Sequence, residues 1–434
     1  MSNKVLQKIK TLNRARLDKW HNGKKKIRKL LSRITAKSQK RDHSEAQKTI
    51  LRAHAPGPHF EQTLIGDESL ASQARARLFA FYLPQFYPFE ENDRWWGAGF
   101  TEWRNVTRAL PRFEGHLQPR LPRDLGFYDL RNIETIKEQI RMARRSGVAG
   151  FCYYYYWFSG RRLLDRPLDI LLRHSEIDFP FCLMWANESW TRRWDGQDHN
   201  VLMKQEYHNE DDTLLIDDLA RYFKDSRYER IHGRPLFIIY RAAVVPDFKH
   251  RLSHWRRLFA ERHDLQPLVL MAQTHKDIDP LPYGLDGAIE FPPHKLFDRL
   301  PHVSDRKLKL LDPEFSGTYM HYDDLVRRSL SIKAPAFPLI RTLVPSWDNE
   351  ARKPSCGLGL IEADPQKYEN WLSALADQAV QKPFQGVPYV FVNAWNEWAE
   401  GAVLEPDLYH GAAYLNATFR ALTTAAHSIS YSKQ

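Results

Sequence analysis

Leu78-Phe79-Ala80-Phe81-Tyr82-Leu83 is an unbroken apolar run, and Pro84-Gln85-Phe86-Tyr87-Pro88 follows it directly. A strand that is apolar at consecutive positions is one buried on both faces, as in parallel sheets covered by helices. The turn after it decides between the two common arrangements of such sheets. A doubly wound, dinucleotide-binding sheet needs a glycine-rich turn here to cradle a pyrophosphate, and this turn has no glycine. Seven further runs repeat the pattern: Val148–Tyr153, Phe181–Trp185, Leu236–Tyr240, Leu268–Ala272, Gly287–Glu290, Phe337–Thr342 and Tyr389–Ala394. Between them lie stretches with apolar residues at three-to-four spacing, among them Ile133–Arg145, Thr213–Lys224, Phe248–Arg262 and Pro365–Gln381. Eight strands interleaved with helices over roughly 350 residues predict an α/β fold, a (β/α)8 barrel with enlarged βα loops. The open doubly wound sheet is the alternative.

The barrel is expected over residues 78–425, with a C-terminal tail at 426–434. Residues 51–77, with Pro56-Gly57-Pro58 and small polar side chains, read as a linker, and residues 1–50 as a basic extension. The chain of 434 residues has a formal net charge of +11. Residues 1–50 alone hold 16 Lys or Arg against Asp18, Asp42 and Glu45, a local net of +13 that leaves −2 for the rest. The basic character therefore belongs to the extension. There Val5, Leu6, Ile9, Leu12, Leu17, Trp20, Ile27 and Leu30 recur at mostly helical spacing, with Lys24-Lys25-Lys26 and Arg28-Lys29 on the other face. Such a segment suits an anionic membrane surface, a solvated extension being the alternative. Deleting residues 1–50 is expected to release the protein from anionic vesicles, which co-sedimentation at two salt concentrations checks. Nucleic acid is not an expected partner, since no binding motif accompanies the basic residues. No run of about 18 apolar residues exists to span a membrane. No apolar signal core follows the first basic residues. Cys152, Cys182 and Cys356 are odd in number and far apart, with no metal-type spacing. No metal and no cofactor is expected.

Chemistry in a barrel gathers at the C-terminal ends of the strands. Strand one leads to Tyr82 and Gln85, then Trp95, Trp96, Glu102 and Trp103. Strand two ends in Tyr153 and Tyr154, and strand three leads to Trp185, Asn187 and Glu188. Strands five, six and seven give Gln273, Glu290 and Trp347, and strand eight leads to Asn396, Glu397, Trp398 and Glu400. Aromatic planes stack on the C–H faces of a sugar ring while amides and carboxylates bond its hydroxyls, so these residues form the expected substrate-binding wall. For each aromatic the competing assignment is the core between barrel and helices.

Within Asn396-Glu397-Trp398-Ala399-Glu400-Gly401, two acids stand three residues apart beyond a buried strand. A helical turn there would project both carboxylates to one side. Two nearby carboxylates at different pKa can act as base and acid at one glycosidic bond. A solvated helix face is the ordinary explanation of such spacing, but acids packed among Trp395, Trp398 and Gly401 are unlike one. Glu397 and Glu400 are therefore the expected catalytic pair. Glu188 with Glu397, acting across the barrel, is a second arrangement.

Residues Leu78 to Leu415 resemble the WbsX-like family of bacterial polysaccharide and lipopolysaccharide biosynthesis proteins, described also as glycoside hydrolase family 99-like. The resemblance rests on Phe81-Tyr82-Leu83-Pro84-Gln85-Phe86, the Trp95–Val106 stretch, Gly150-Phe151-Cys152-Tyr153-Tyr154-Tyr155, Trp185-Ala186-Asn187-Glu188 and Asn396-Glu397-Trp398-Ala399-Glu400-Gly401. It implies a carbohydrate-active enzyme, glycosyltransferase or glycoside hydrolase, acting on an α-linked glycan or lipid-linked oligosaccharide with retention. Family 99 endo-α-mannosidases carry Glu-Trp-His-Glu where this chain has Glu397-Trp398-Ala399-Glu400. By that likeness Glu397 is the base for the sugar 2-OH, giving a 1,2-anhydro intermediate, and Glu400 the acid/base. Ala399 in place of His puts a mannose preference in question while sparing both carboxylates. The implied location is cytoplasmic, peripheral at the inner membrane. A non-catalytic glycan-binding barrel and a nucleotide-sugar-dependent transferase are the alternatives.

Overall fold

In the computed structural model, which describes residues 45–192 and 197–423, eight parallel strands close on themselves. They are β1 (Arg77–Tyr82), β2 (Val148–Phe158), β3 (Phe181–Trp185) and β4 (Arg234–Ile239). The circle continues with β5 (Leu268–Gln273), β6 (Gly287–Glu290), β7 (Leu339–Leu343) and β8 (Tyr389–Val392). Strand β1 pairs with both β2 and β8, through Phe81 opposite Cys152 and Phe79 opposite Phe391. That double pairing makes a closed (β/α)8 barrel and rules out the open sheet, whose edge strands would keep unpaired backbone groups. The helices Ile133–Arg145 and Pro365–Gln381 have the expected bounds. The helix expected from Thr213 begins earlier, at Asn209, where Glu210, Asp211 and Asp212 complement the positive end of the helix dipole.

Alternate residues of a barrel strand point to opposite sides of it. Phe81 and Tyr154 face the interior, and the Phe81 ring lies 5.0 Å from that of Phe291 and 6.2 Å from that of Tyr154. Tyr82 and Tyr153 face the helical layer, with ring centroids 4.5 Å apart, and the Tyr82 hydroxyl donates to Gln139 Oε1 at 2.8 Å. Trp185 likewise packs on Trp255 of helix Phe248–His263, 5.8 Å away. Tyr82, Tyr153 and Trp185, expected to bind substrate, therefore belong to the core between barrel and helices.

Residues 1–51 and 52–434 are separate units. Of the first, only 45–51 are described, and they are helical, so the basic apolar-striped segment lies almost wholly outside the described residues, as does the 426–434 tail. The expected linker is structured from residue 52 onward. Gly57 N donates to Tyr409 O at 2.8 Å, Ala412 N donates to Glu61 O at 2.8 Å, and Arg145 donates to Leu64 O and Gly66 O at 2.9 Å. A Cβ at Gly66 would lie 1.9 Å from Arg145 O. The glycine there serves close backbone approach rather than flexibility.

The long loops all leave the C-terminal ends of strands. After β1 come helices Glu90–Trp96 and Glu102–Arg108, and after β3 a hairpin of Trp190–Arg192 with Gln197–Met203. Segments Thr318–His321 and Leu358–Ile361, beyond β6 and β7, pair as a small parallel sheet. After β8, Asn396-Glu397 pairs antiparallel with Ala402-Val403 around a single turn, Trp398–Glu400. No helix among the described residues is long and apolar enough to cross a membrane.

Candidate active site

The turn after β8 is pinned from three sides. The Asn396 amide accepts from Leu83 N at 2.8 Å and donates to Leu83 O at 3.0 Å, tying the end of β8 to that of β1. Trp395 and Trp398 donate their indole N–H groups to Glu405 at 2.8 and 2.7 Å. Glu405 also accepts from Tyr128 Oη at 3.0 Å and Gln139 Nε2 at 2.6 Å. Burial pushes its carboxyl up to about 7, against the pull of those four donors. Gly401, at φ +60°, closes the turn, and a Cβ there would sit 3.2 Å from Asp348 N. Asp348 N donates to Glu400 O at 2.6 Å. The Asp348 carboxylate is held by His116 Nε2 at 2.5 Å, Tyr319 Oη at 3.0 Å and Glu350 N at 3.0 Å. Burial would raise it, yet the His116 ring and these bonds keep it below the usual carboxylate range.

On this support Glu397 and Glu400 meet one guanidinium. Arg352 Nη2 lies 2.9 Å from Glu397 Oε2, Nη1 lies 2.8 Å from Glu400 Oε1, and Nε lies 2.8 Å from Glu102 Oε1. One half-buried cation thus serves three carboxylates. Burial raises both Glu397 and Glu400 above the carboxylate range, Arg352 opposes it, and Glu102 adds to it by like-charge repulsion. Burial lifts the Glu397 carboxyl to about 8, so this group exchanges protons near neutrality.

The cluster forms one wall of a cavity of about 360 Å³, a size usual for small-molecule sites. Gln85, Trp95, Trp96, Tyr154, Glu188 and Trp347 line it together with Glu397 and Glu400. Glu188 is engaged by Arg241, with His275 Nε2 at 3.6 Å, so its charge is already spent. The remaining expected residues lie behind the wall. Glu102 is fully buried and reaches the site only through Arg352. Trp103 donates to Tyr128 O at 2.8 Å and packs on Phe86, while Trp398 is committed to Glu405. Asn187 bonds the backbone of Arg241 and the Tyr207 hydroxyl. Gln273 accepts from Lys295 at 2.6 Å, and Glu290 accepts from Arg341 at 2.8 Å. Asn396 is the β8–β1 tie.

Several lining residues were not expected from the sequence. Trp190, on the β3 hairpin, meets Trp95 edge-on at 5.7 Å and Tyr156 at 5.1 Å, and its place directly after Asn187-Glu188-Ser189 was the available signal. Arg352, Lys353 and Asn92 gave none. Asn92 is almost completely buried in the cavity wall, and among the described residues neither atom of its amide has a hydrogen-bond partner; the Trp347 Nε1 is likewise unpartnered there. Among the described residues no group of three His, Cys, Asp or Glu is arranged to hold a metal ion.

Residues 78–418 match the family described as Glycosyltransferase WbsX. Two proteins of Xanthomonas campestris pv. campestris, each named Uncharacterized protein WxcX, are 44% identical over 350 residues. The match covers 81% of this chain and 50% of theirs, so the chain spans about half the length of the curated relatives it matches. Among solved structures, one described as a glycoside hydrolase-like protein aligns over 86% of this chain and 98% of its own, with a TM-score of 0.51 and 14% identity. The GH99 endo-alpha-mannosidase from Bacteroides thetaiotaomicron aligns over 80% of this chain and 96% of its own, with a TM-score of 0.47 and 16% identity. At such identities the likeness is one of fold.

Proposed function

Because this chain belongs to the WbsX glycosyltransferase family, we propose that it is a carbohydrate-active enzyme that acts, with retention, on an α-glycosidic bond of a bacterial surface polysaccharide or its lipid-linked precursor. One observation carries this reading: two carboxylates on one pinned turn, Glu397 buried and Glu400 half-buried, share one guanidinium at the wall of an aromatic cavity. In the first step Glu397 takes the proton of the sugar 2-OH as O2 bonds to C1. The bond from C1 to the leaving oxygen breaks, and Glu400 gives that oxygen its proton. In the second step Glu400 takes a proton from water or an acceptor hydroxyl, which bonds to C1. The C1–O2 bond opens, and Glu397 returns its proton to O2. Both Glu side chains end as they began.

The environments suit those roles. A carboxyl raised by burial stays protonated above the ordinary range, as the acid must. A raised carboxylate is also a stronger base than an exposed one, which suits an alcohol proton, while Arg352 keeps its ionised form accessible. Hydrolysis and transfer share this first step and differ only in the acceptor. A lipid-linked substrate fits a cytoplasmic enzyme peripheral at the inner membrane, with residues 1–50 facing anionic lipid.

The test is product analysis after incubation with the polysaccharide and lipid-linked oligosaccharide made by the same gene cluster, in ¹⁸O-labelled water. A shortened glycan with ¹⁸O at its new reducing end means hydrolysis, and a lengthened one means transfer; NMR of the first-formed anomer reads retention. Binding with no change to either glycan would leave a glycan-binding barrel instead. The tryptophans separate by the same logic. Trp95→Ala is expected to weaken glycan binding about tenfold at constant melting temperature, since a stacking face is lost. Trp185→Ala is expected to cost about 3–5 kcal/mol of stability, measured by denaturant unfolding, because that ring fills the barrel–helix core.

A further inference from the structure

The charged side chains on the cavity wall are Glu188, Arg352, Lys353, Glu397 and Glu400. Glu188 pairs with Arg241, and Arg352 pairs with both catalytic carboxylates. Lys353, half-buried on the wall, makes no ion pair and no side-chain hydrogen bond among the described residues. It follows Arg352 on the loop after β7, and its charge is felt at Glu400. The same loop carries Trp347, whose indole N–H is fully buried with no acceptor among the described residues. Its amide acceptor, Asn349 Oδ1, is already taken by Leu358 N at 2.7 Å. Lys353 is thus the cation of the cavity wall left without an ion-pair partner among the described residues. A sugar hydroxyl both gives and takes hydrogen bonds, whereas an ionised carboxylate or phosphate only takes them and adds charge.

We propose that the loop after β7 is an anion-recognition subsite, in which Lys353 binds a carboxylate or phosphate carried by the glycan residue on the Glu400 side of the scissile bond. The assignment to that side rests on Glu400 being the acid that meets the leaving oxygen. The substrate is then an acidic glycan, and a neutral glycan of the same linkage is discriminated against by the desolvation of an unanswered ammonium.

The test is NMR titration of the full-length chain with methyl α-D-glucopyranoside, its 6-carboxylate (the glucuronide) and its 6-phosphate, together with the manno and galacto series. In at least one series an acidic member is expected to bind on the order of tenfold tighter than the neutral one. Lys353→Gln is expected to bring that ratio to about one, and Lys353→Arg to keep it. The 6-carboxylate and 6-phosphate arms tell the two anions apart. Equal affinity for acidic and neutral members overturns the subsite while leaving a carbohydrate site in place. A preference that survives Lys353→Gln also overturns it, and assigns Lys353 to balancing Glu400. If no glycoside of any series binds, the subsite and the carbohydrate reading fall together.

Discussion

Glu400→Gln and Glu397→Gln proteins are expected to fold with melting temperatures close to that of the parent and to lose turnover by about 10²–10⁴-fold each. The near-constant stability follows from burial. Burial raises both carboxyls, so a neutral amide of the same volume removes the cost of holding a charge at either position. The loss of turnover follows from the amide's inability to take or give a proton. Single-turnover kinetics with an activated aryl α-glycoside would separate the two roles. A good leaving group needs no acid, so it is expected to rescue the first step of Glu400→Gln and not of Glu397→Gln. Near-parental turnover in both variants would remove this pair from the chemistry.

Arg352→Gln is expected to reduce turnover by a comparable factor and to move the acid limb of the pH–rate profile upward. Arg352 is the main opponent of the burial that raises Glu397 and Glu400, and removing it lets both rise further. The same substitution has a signed effect on stability. A carboxyl whose pKa is higher folded than unfolded favours the folded state fully below its unfolded value, and that contribution is lost as pH rises through the folded value. The variant should thus fall short of the parent in thermal stability by more at about pH 8 than at about pH 5. The loss of one partner of a buried ion pair typically costs about 3–5 kcal/mol. Melting curves at the two pH values check it, and an equal deficit at both would mean that Arg352 acts by packing alone.

The barrel was legible because most of its strands are apolar on both faces, a pattern that survives without knowledge of any contact. Side-chain direction was not. Tyr153 and Tyr154 are adjacent and chemically identical, yet one packs against Tyr82 in the outer core and the other lines the cavity. The phase of a strand is set by its pairing, which no single run reveals. Glu397 and Glu400 stood out because acids among tryptophans are costly unless used. Arg352 did not, since Asn349-Glu350-Ala351-Arg352-Lys353-Pro354 has the composition of any surface loop. Its partners lie 45 residues away at Glu397 and 250 residues away at Glu102. Only closure of the barrel brings them together. The linker reading failed for a related reason: proline and glycine mark bends and close approaches as well as free chain, and Gly66 is a close approach.

The contact between Asp348 and the Glu400–Gly401 peptide has a consequence for inheritance and for engineering. Barrel enzymes are commonly diversified by exchanging one loop at a time on a constant frame. Here that modularity is suspended. The loop after β7 brings the guanidinium and the loop after β8 brings the carboxylates, and the backbone bond from Asp348 N to Glu400 O, with Asp348 packed closely on the left-handed Gly401, welds them. A chimera that imports either loop alone would part the acids from their counter-charge. Residues 344–364 and 395–405 form one transplantable cassette, and variation in what this scaffold accepts has to pass through both halves together.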